Sequence, residues 1–226
     1  SGSASWSEAL GPYVGDRWRL APLTVNYRTP AEIMAVAADV LAQIDPAARP
    51  PRSVRETGTR PWRLGVGDDQ AELAGAVARA AAGLAAQTGD GTLAVIVPDG
   101  RLAELGAAVR AALPDVAVGD PSAPATATDA SGPVSAREPD LERPVVVLTV
   151  RQAKGMEFDS VLVADPGSIL AESPRGLGDL YVALTRATQR AGVVHTGEVP
   201  PVLAGLAEVT GFAEAGSGPE PAADVA

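Results

Sequence analysis

Residues 145–158, VVVLTVRQAKGMEF, decide which fold this chain can adopt. The continuous apolar run Val145–Leu148 predicts a central strand that is buried on both faces of a sheet. The run then breaks abruptly into the mostly polar stretch from Thr149 to Glu157. Open α/β sheets place ligand sites at the carboxyl ends of their strands. The stretch therefore predicts a parallel sheet with a polar site at its carboxyl edge.

The rest of the chain alternates between short apolar runs and amphipathic helical patterns. A helix is predicted to begin at the capping box Thr29-Pro30-Ala31-Glu32, with Pro30 at its first position. Further strands are predicted at 62–66, 93–97, 161–164 and 192–195, and further helices at 70–84, 102–109, 177–184 and 202–209. This alternation predicts an α/β fold, a parallel sheet with helices on both faces.

One domain is predicted over residues 23–212. Residues 1–22 lack a complete periodic element and are interpreted as an arm or as the end of a preceding domain. Residues 119–143, rich in Pro, Ala, Ser and Thr, predict a flexible surface loop. Residues 213–226 have the composition of a disordered tail.

The charge balance limits the partners that this chain can bind. Its net charge is −10, whereas a free-standing nucleic-acid binder usually carries a basic excess. Any contact with DNA must therefore be local or depend on other segments. The Arg-rich loop 45–61 is the one locally basic stretch. It is interpreted as a solvated loop, with a phosphate or an acidic partner surface as the alternative.

Several kinds of site are excluded by residue type. The chain has no cysteine and a single histidine, His195, which excludes thiolate chemistry and multi-histidine metal sites. No protein metal site is predicted within the chain. There is no apolar stretch of the ~18 residues that a membrane span needs, and no signal-peptide pattern. We therefore predict a cytoplasmic protein without membrane contact.

Three stretches combine aromatic or polar residues with arginine. They are Asn26-Tyr27-Arg28, the turn after Leu148, and a predicted helical stretch that contains Arg186. On a helix Arg186 lies about 200° from Leu184 and cannot join the core face. Taken singly, each stretch has an ordinary explanation as a solvated loop, a surface ion pair or a solvated helical arginine.

Taken together and in this order, the three stretches resemble motifs IV, V and VI of the UvrD/Rep-like superfamily 1 helicases. In that family these motifs lie in the second RecA-like domain, and the resemblance covers about residues 23–196. Within the family, the sequence is most similar to the HelD branch, which acts on bacterial RNA polymerase. The similarity lies in residues 154–159, KGMEFD, and residues 179–188, DLYVALTRAT. The resemblance implies the C-terminal RecA-like domain of such a protein.

The resemblance also implies roles for individual residues at an ATP site. Tyr27 would stack on adenine, and Arg28 and Arg186 would act catalytically by approaching the γ-phosphate from two sides. Glu157 would bind the ribose, with Gly155 keeping the backbone close. An arginine finger of this kind contributes roughly 10³–10⁵ in rate.

Thr149 and Arg151 would lie near the nucleic-acid path, but this chain departs from the family in two respects. Arg151 stands where motif V usually has a histidine. The interval between motifs IV and V also lacks the large helical domain of Rep-like members. Both departures favour HelD-like remodelling or recycling of RNA polymerase over processive DNA unwinding, which is the alternative. A scaffold domain without activity is a further alternative.

The chain contains no Gly-x-x-x-x-Gly-Lys-Ser/Thr, and Lys154 is its only lysine. It therefore has no phosphate cradle of the P-loop type. We expect ATP with Mg²⁺ to be bound mainly by an N-terminal RecA-like domain of the same protein, where the Mg²⁺ ligands would also lie. The predicted partners are that domain and RNA polymerase, with DNA as a further candidate, and the chain alone is predicted to be inactive.

Overall fold

A computed structural model describes residues 6–15, 17, 19, 24–67, 69–119, 143–212 and 219–221. In these residues the helices are α1 (Trp6–Val14), α2 (Ala31–Ile44), α3 (Gln70–Thr88), α4 (Leu102–Ala112), α5 (Pro166–Glu172) and α6 (Gly176–Leu184). The strands are β1 (Val25–Asn26), β2 (Arg52–Ser53), β3 (Trp62–Val66), β4 (Leu93–Val97), β5 (Val116–Val118), β6 (Val145–Thr149), β7 (Phe158–Ala164), β8 (Ala187–Thr196), β9 (Ala207–Phe212) and β10 (Pro219–Pro221).

The main sheet has eight strands in the order β10-β9-β3-β8-β7-β4-β6-β5. All neighbouring strands run parallel except the antiparallel pair of β9 and β10. The predicted parallel α/β sheet is thus confirmed. The predicted central position of β6 is wrong, because β5 pairs along its outer side and leaves β6 next to the edge. Burial on both faces made β6 look central, but helices also cover strands near an edge.

Helices cover both faces of the sheet, as predicted. Alternate residues of β6 point to opposite sides, so Val146 and Leu148 pack with residues of α2 and α6. Val145 and Val147 pack with residues of α3 and α4. This two-sided burial explains why β4 and β6 are continuous apolar runs rather than alternating ones.

The start of α2 differs from the predicted capping box. Pro30 occupies the N-cap position, and no side chain caps the helix there. Glu32 does not reach back to Thr29. Its Oε1 instead accepts the backbone N–H groups of Thr57 (3.0 Å) and Gly58 (2.6 Å). The carboxylate is engaged by a neighbouring loop, which the local sequence pattern does not reveal.

The predicted helix 202–209 is also wrong. Pro201–Leu203 form a single 3₁₀ turn, and the strand β9 then pairs in parallel with β3. Glycine weakens the interior of a helix, so Gly205 disfavours a continuous helix here. β9 is stabilised instead by tertiary packing, in which Phe212 contacts Trp62 with ring centroids 4.7 Å apart.

The two ends of the chain contain more regular structure than predicted. α1 lies in the predicted arm, and β10 lies in the predicted disordered tail and pairs with β9. The rest of 213–226 and residues 120–142 of the predicted flexible loop lie outside the described residues. Within the described part, no helix is both long and apolar enough to cross a membrane.

Candidate functional site

A cleft of about 600 Å³ opens between the segment that precedes α2 and the turn that follows α6. Four of the predicted site residues line it, although they come from three distant stretches of the chain: Tyr27, Arg28, Glu157 and Arg186. The remaining lining residues are Val25, Asn26, Thr29, Met34, Pro51, Tyr181 and Thr185.

Asn26 shapes the first wall of this cleft. Its side-chain Oδ1 accepts the backbone N–H groups of Arg28 (2.8 Å) and Thr29 (3.1 Å). This local bonding is an Asx turn, which reverses the chain just before α2. Tyr27 is consequently 73% exposed, and its ring is accessible to a planar ligand. The predictions included Asn26 in the motif but assigned it no role, although an Asn before a helix is a turn signal.

Arg28 and Glu157 contact each other across the cleft. Arg28 Nη2 lies 2.7 Å from Glu157 Oε1, and the two side chains are 54% and 38% exposed. An exposed ion pair of this kind contributes only about 0–1 kcal/mol, so a ligand can replace it at little cost. The neighbouring Lys154 does not share this ion pair with Glu157. Its Nζ lies 3.5 Å from Oδ1 of Asp179 instead.

Arg186 is not on a helix, contrary to the prediction. α6 ends at Leu184, and Arg186 lies in the turn that leads into β8. Thr185 is the C-cap residue of α6, and its hydroxyl donates to the backbone oxygen of Tyr181 (2.9 Å). The predicted consequence still holds, because Arg186 lines the cleft rather than the core.

Neutral oxygens hold the Arg186 guanidinium in place. Its Nε donates to the Val182 carbonyl and its Nη1 to the Met156 carbonyl, both at 3.1 Å. Among the residues that the structure describes, Arg186 has no carboxylate within ion-pairing distance. Burial lowers the pKa of Arg186, and the nearby charge of Arg28 lowers it further. The site thus presents a positive charge whose nearest contacts are uncharged.

Tyr181 is a cleft residue that belongs to the DLYVALTRAT stretch but was assigned no role at the site. It lies one turn before Thr185 on α6 and lines the same wall as Arg186. Burial raises the pKa of the Tyr181 hydroxyl, and the charge of Arg186 opposes that rise. Its position four residues before Thr185 was the signal available in the sequence, since residues so spaced share a helix face.

Gly155 does not line the cleft. Its φ of +85° lies in the region that favours glycine, and a Cβ added there would meet nothing within 4 Å. The turn after β6 therefore requires glycine for its backbone conformation, not for a close approach within this chain.

Thr149 and Arg151 lie at the carboxyl end of β6, apart from the cleft. Thr149 is 2% exposed, and its hydroxyl accepts the backbone N–H of Gln152 (3.4 Å) within the turn. Arg151 forms an ion pair with Asp99, which follows β4. Arg151 also lines a second cavity of about 260 Å³, together with Asp99, Lys154 and Asp179. Thr149 lines neither this cavity nor the cleft.

No group of three or more His, Asp or Glu side chains in the described ranges is arranged to hold a metal ion. That the Mg²⁺ ligands for ATP lie in another domain remains a prediction.

The fold and the cleft define a class of protein: a RecA-like α/β domain that lacks a P-loop and has two arginines, Arg28 and Arg186, in a surface cleft. Residues 144–194 match the UvrD-like helicase C-terminal domain family, over less than a quarter of the chain. The match runs from the start of β6 into β8 and includes Glu157 and Arg186, but not Tyr27 or Arg28.

A solved structure with a similar fold is the C-terminal domain of a possible DNA helicase from Lactobacillus plantarum WCFS1. The TM-score is 0.54 at 19% identity, with 80% of this chain and 94% of that chain covered. This likeness shows the fold. No curated protein has a significant match to the chain. Neither comparison supports the HelD branch in particular.

Proposed function

We propose that this chain is the C-terminal motor domain of an ATP-dependent, UvrD-like helicase protein. The observation that carries the proposal is that Tyr27, Arg28, Glu157 and Arg186, predicted from three separate stretches, line one cleft. The family match over residues 144–194 and the helicase-domain fold support it. An N-terminal RecA-like domain would supply the P-loop and the Mg²⁺ ligands opposite this cleft.

The chemistry of the cleft suits a nucleoside triphosphate. Two guanidinium groups face it, and the hydrogen bonds of Arg186 go to neutral oxygens, so phosphate oxygens would supply a directly bonded counter-charge. Tyr27 offers an exposed ring for a base, and Glu157 offers a carboxylate for ribose hydroxyls. The volume of about 600 Å³ lies within the usual ligand-site range of roughly 300–1,000 Å³.

Bound ATP would supply the phosphoryl group, and the residues of this chain would position and stabilise its charge. Arg186 is already oriented by the carbonyls of Val182 and Met156, so it needs little reorganisation as charge develops. Arg28 must first leave Glu157, which at the same time makes the carboxylate available to the ribose. Nucleotide binding and the breaking of this ion pair would thus be coupled.

The proposal predicts a large effect of Arg186→Ala on the full-length protein that contains this chain. We expect ATP turnover to fall by about 10³-fold or more, because an arginine finger contributes roughly 10³–10⁵ in rate. Turnover should be measured under saturating ATP, with the thermal midpoint as a check on folding. Arg175→Ala is the matched control, since Arg175 is exposed and precedes the same helix. Near-normal turnover of the Arg186 variant would refute the assignment.

A second candidate function is ATP-driven remodelling or recycling of RNA polymerase. The observation that favours it is the burial of Thr149, whose hydroxyl accepts a backbone N–H within its own turn and is not available to nucleic acid. The net charge of −10 points the same way. A strand-displacement assay and a polymerase pull-down with the full-length protein distinguish the two. Unwinding without polymerase favours the helicase, and polymerase capture without unwinding favours remodelling.

A further inference from the structure

The Arg-rich loop 45–61 is not merely a solvated loop, because it contains β2 beside the cleft. β1 and β2 pair in parallel, with Val25 opposite Arg52 and Asn26 opposite Ser53. The N–H of Arg52 donates to the Thr24 carbonyl (2.9 Å), and the N–H of Val54 donates to the Asn26 carbonyl (3.1 Å). Two strands of two residues are too short to be stable alone. Further contacts must therefore hold this small sheet together.

Side chains of the same loop bind the carbonyls that follow Asn26. The Ser53 hydroxyl donates to the Thr29 carbonyl at 2.7 Å. Arg55 Nη1 donates to the Arg28 carbonyl at 3.2 Å. In return, the Arg55 carbonyl accepts the N–H of Ala31 at 2.8 Å. The backbone around Arg28 is therefore bonded on both sides to one short segment.

The far end of this segment is fixed to α2. Glu32 Oε1 accepts the N–H groups of Thr57 and Gly58 at 3.0 and 2.6 Å. Gly58 has a φ of +70°, a conformation that favours glycine and turns the chain toward Glu32. Residues 52–58 thus lie alongside the segment 24–32 and contact it at both ends.

We propose that Ser53 and Arg55 are positioning residues that fix the backbone of Arg28. The fixed backbone in turn sets the direction in which the Arg28 guanidinium extends into the cleft. This inference rests on the proposed function, in which Arg28 approaches a phosphate. The Arg28 side chain is 54% exposed, and its ion pair is with Glu157, the carboxylate that would bind the ribose of the nucleotide. Once that pair breaks, the direction of the side chain depends on its backbone.

Small displacements at such a site have large kinetic effects. A misplacement of about 1 Å can lower a catalysed rate by about 10²-fold. We therefore expect Arg55→Ala to lower kcat for ATP hydrolysis by about 10- to 100-fold in the full-length protein, with a smaller change in KM. Ser53→Ala should lower kcat in the same direction. Arg55→Lys, which keeps a donor, should restore part of the loss.

Arg52→Ala is the matched control. Arg52 belongs to the same loop and is exposed, and its contact with the cleft segment is made by its backbone N–H. Its truncation removes the same charge without removing a bond to Arg28, so kcat should stay unchanged. An equal loss in the Arg52 and Arg55 variants would mean that loop charge alone matters, and would overturn the inference.

A double-mutant cycle with Arg28→Ala isolates the positioning role. If Arg55 acts through Arg28, Arg55→Ala should cause no further loss of kcat when Arg28 is already alanine. An equal loss in both backgrounds would overturn the inference. If Arg55→Ala fails to fold, the same cycle with Ser53→Ala or Arg55→Lys decides.

The cycle also separates this inference from the function on which it rests. If Arg28→Ala lowers kcat and the Ser53 and Arg55 variants do not, the positioning role is refuted while the proposed function stands. If Arg28→Ala leaves kcat unchanged, the proposed role of Arg28 itself is wrong and the inference falls with it.

Discussion

At the scale of the residue, the cleft depends on how three charges are held. Arg186 is fixed by carbonyl oxygens, whereas Arg28 and Glu157 hold each other at 2.7 Å in a solvent-exposed pair. The fixed group requires little reorganisation, and the exposed pair is weak enough to be exchanged for a ligand. The cleft thus combines one rigid charge with two that ligand binding can redirect.

His195 predicts a pH dependence of stability that is unrelated to the cleft. It is buried on β8, and neither ring nitrogen has a hydrogen-bond partner in the part of the chain that the structure describes. Burial lowers the pKa of His195 below its ordinary value of 6.5; the nearby backbone of Thr196 and Gly197 and the charge of Glu208 oppose this, while Arg63 lowers the pKa further. The unfolded chain therefore binds a proton more readily than the folded chain does.

Because the folded pKa of His195 is lowered, its contribution to stability should decrease as pH falls below about 6.5. The slope should reach at most about 1.4 kcal/mol per pH unit. Urea unfolding of the native chain and of His195→Leu between pH 8 and about 5 measures it, and the variant should lack this component. Identical pH profiles for the two proteins would contradict the prediction.

At the scale of the elements, Asp159 connects three parts of the sheet at its amino end. Its Oδ2 accepts the N–H of Thr92 (2.8 Å), just before β4, and its Oδ1 accepts Nε2 of Gln189 (2.6 Å) on β8. Asp159 itself belongs to β7. The Asp of the KGMEFD stretch, predicted only as part of a motif, therefore joins neighbouring strands.

Asp159→Asn should destabilise the fold by about 1–2 kcal/mol, because one carboxylate oxygen becomes a donor that faces another donor. The hydrogen bond from the Thr92 backbone N–H lowers the pKa of Asp159, and the hydrogen bonds from Gln189 and the Thr92 hydroxyl lower it further. Partial burial opposes this shift. A lowered carboxyl pKa contributes stability that is lost as pH falls through the folded value. The difference between wild type and variant should therefore shrink in acid.

Thermal unfolding at neutral and acidic pH measures this effect, and Asp90→Asn is the control. Asp90 lies in the α3–β4 turn that contains Thr92, the partner of Asp159, and its side chain is exposed. Equal midpoints for the two variants at neutral pH would show that Asp159 does not stabilise the strand junction.

At the scale of the whole molecule, the chain provides one side of the proposed site. It has no P-loop, so it lacks the backbone cradle that holds triphosphates in this fold class. Residues 1–226 alone should therefore show negligible ATPase activity in a steady-state assay, whereas the full-length protein should be active. Substantial turnover by the isolated chain would contradict the two-domain assignment. The measurement is independent of whether DNA or RNA polymerase is the partner.

Local patterns predicted much of the fold because burial leaves a direct signature in sequence. β3, β4, β6 and β7 were predicted from apolar runs, and α3, α4 and α6 from helical spacing. The strand β9 was missed because its first residues, 207–209, were included in the predicted helix 202–209. Pairing with β3 and β10 and the contact of Phe212 with Trp62 favour the strand.

The candidate cleft was predicted less from local pattern than from the order of three motifs. Tyr27, Arg28, Glu157 and Arg186 were all named, and all line the cleft. The roles of Ser53 and Arg55 could not be predicted, because their partners lie in a segment more than twenty residues away. Hydrogen bonds to backbone carbonyls impose few constraints on residue type and leave no periodic pattern.

The sequence by itself determined the α/β class, the two-sided burial of β4 and β6, and the identity of the residues that carry charge. Tertiary structure alone decided the strand order, the placement of Arg186 in a turn, and the contact between Arg28 and Glu157. The physical reason is range. Hydrophobic periodicity acts over a few residues, whereas the Arg28–Glu157 contact requires the packing of α2 and α6 on one face of a completed sheet.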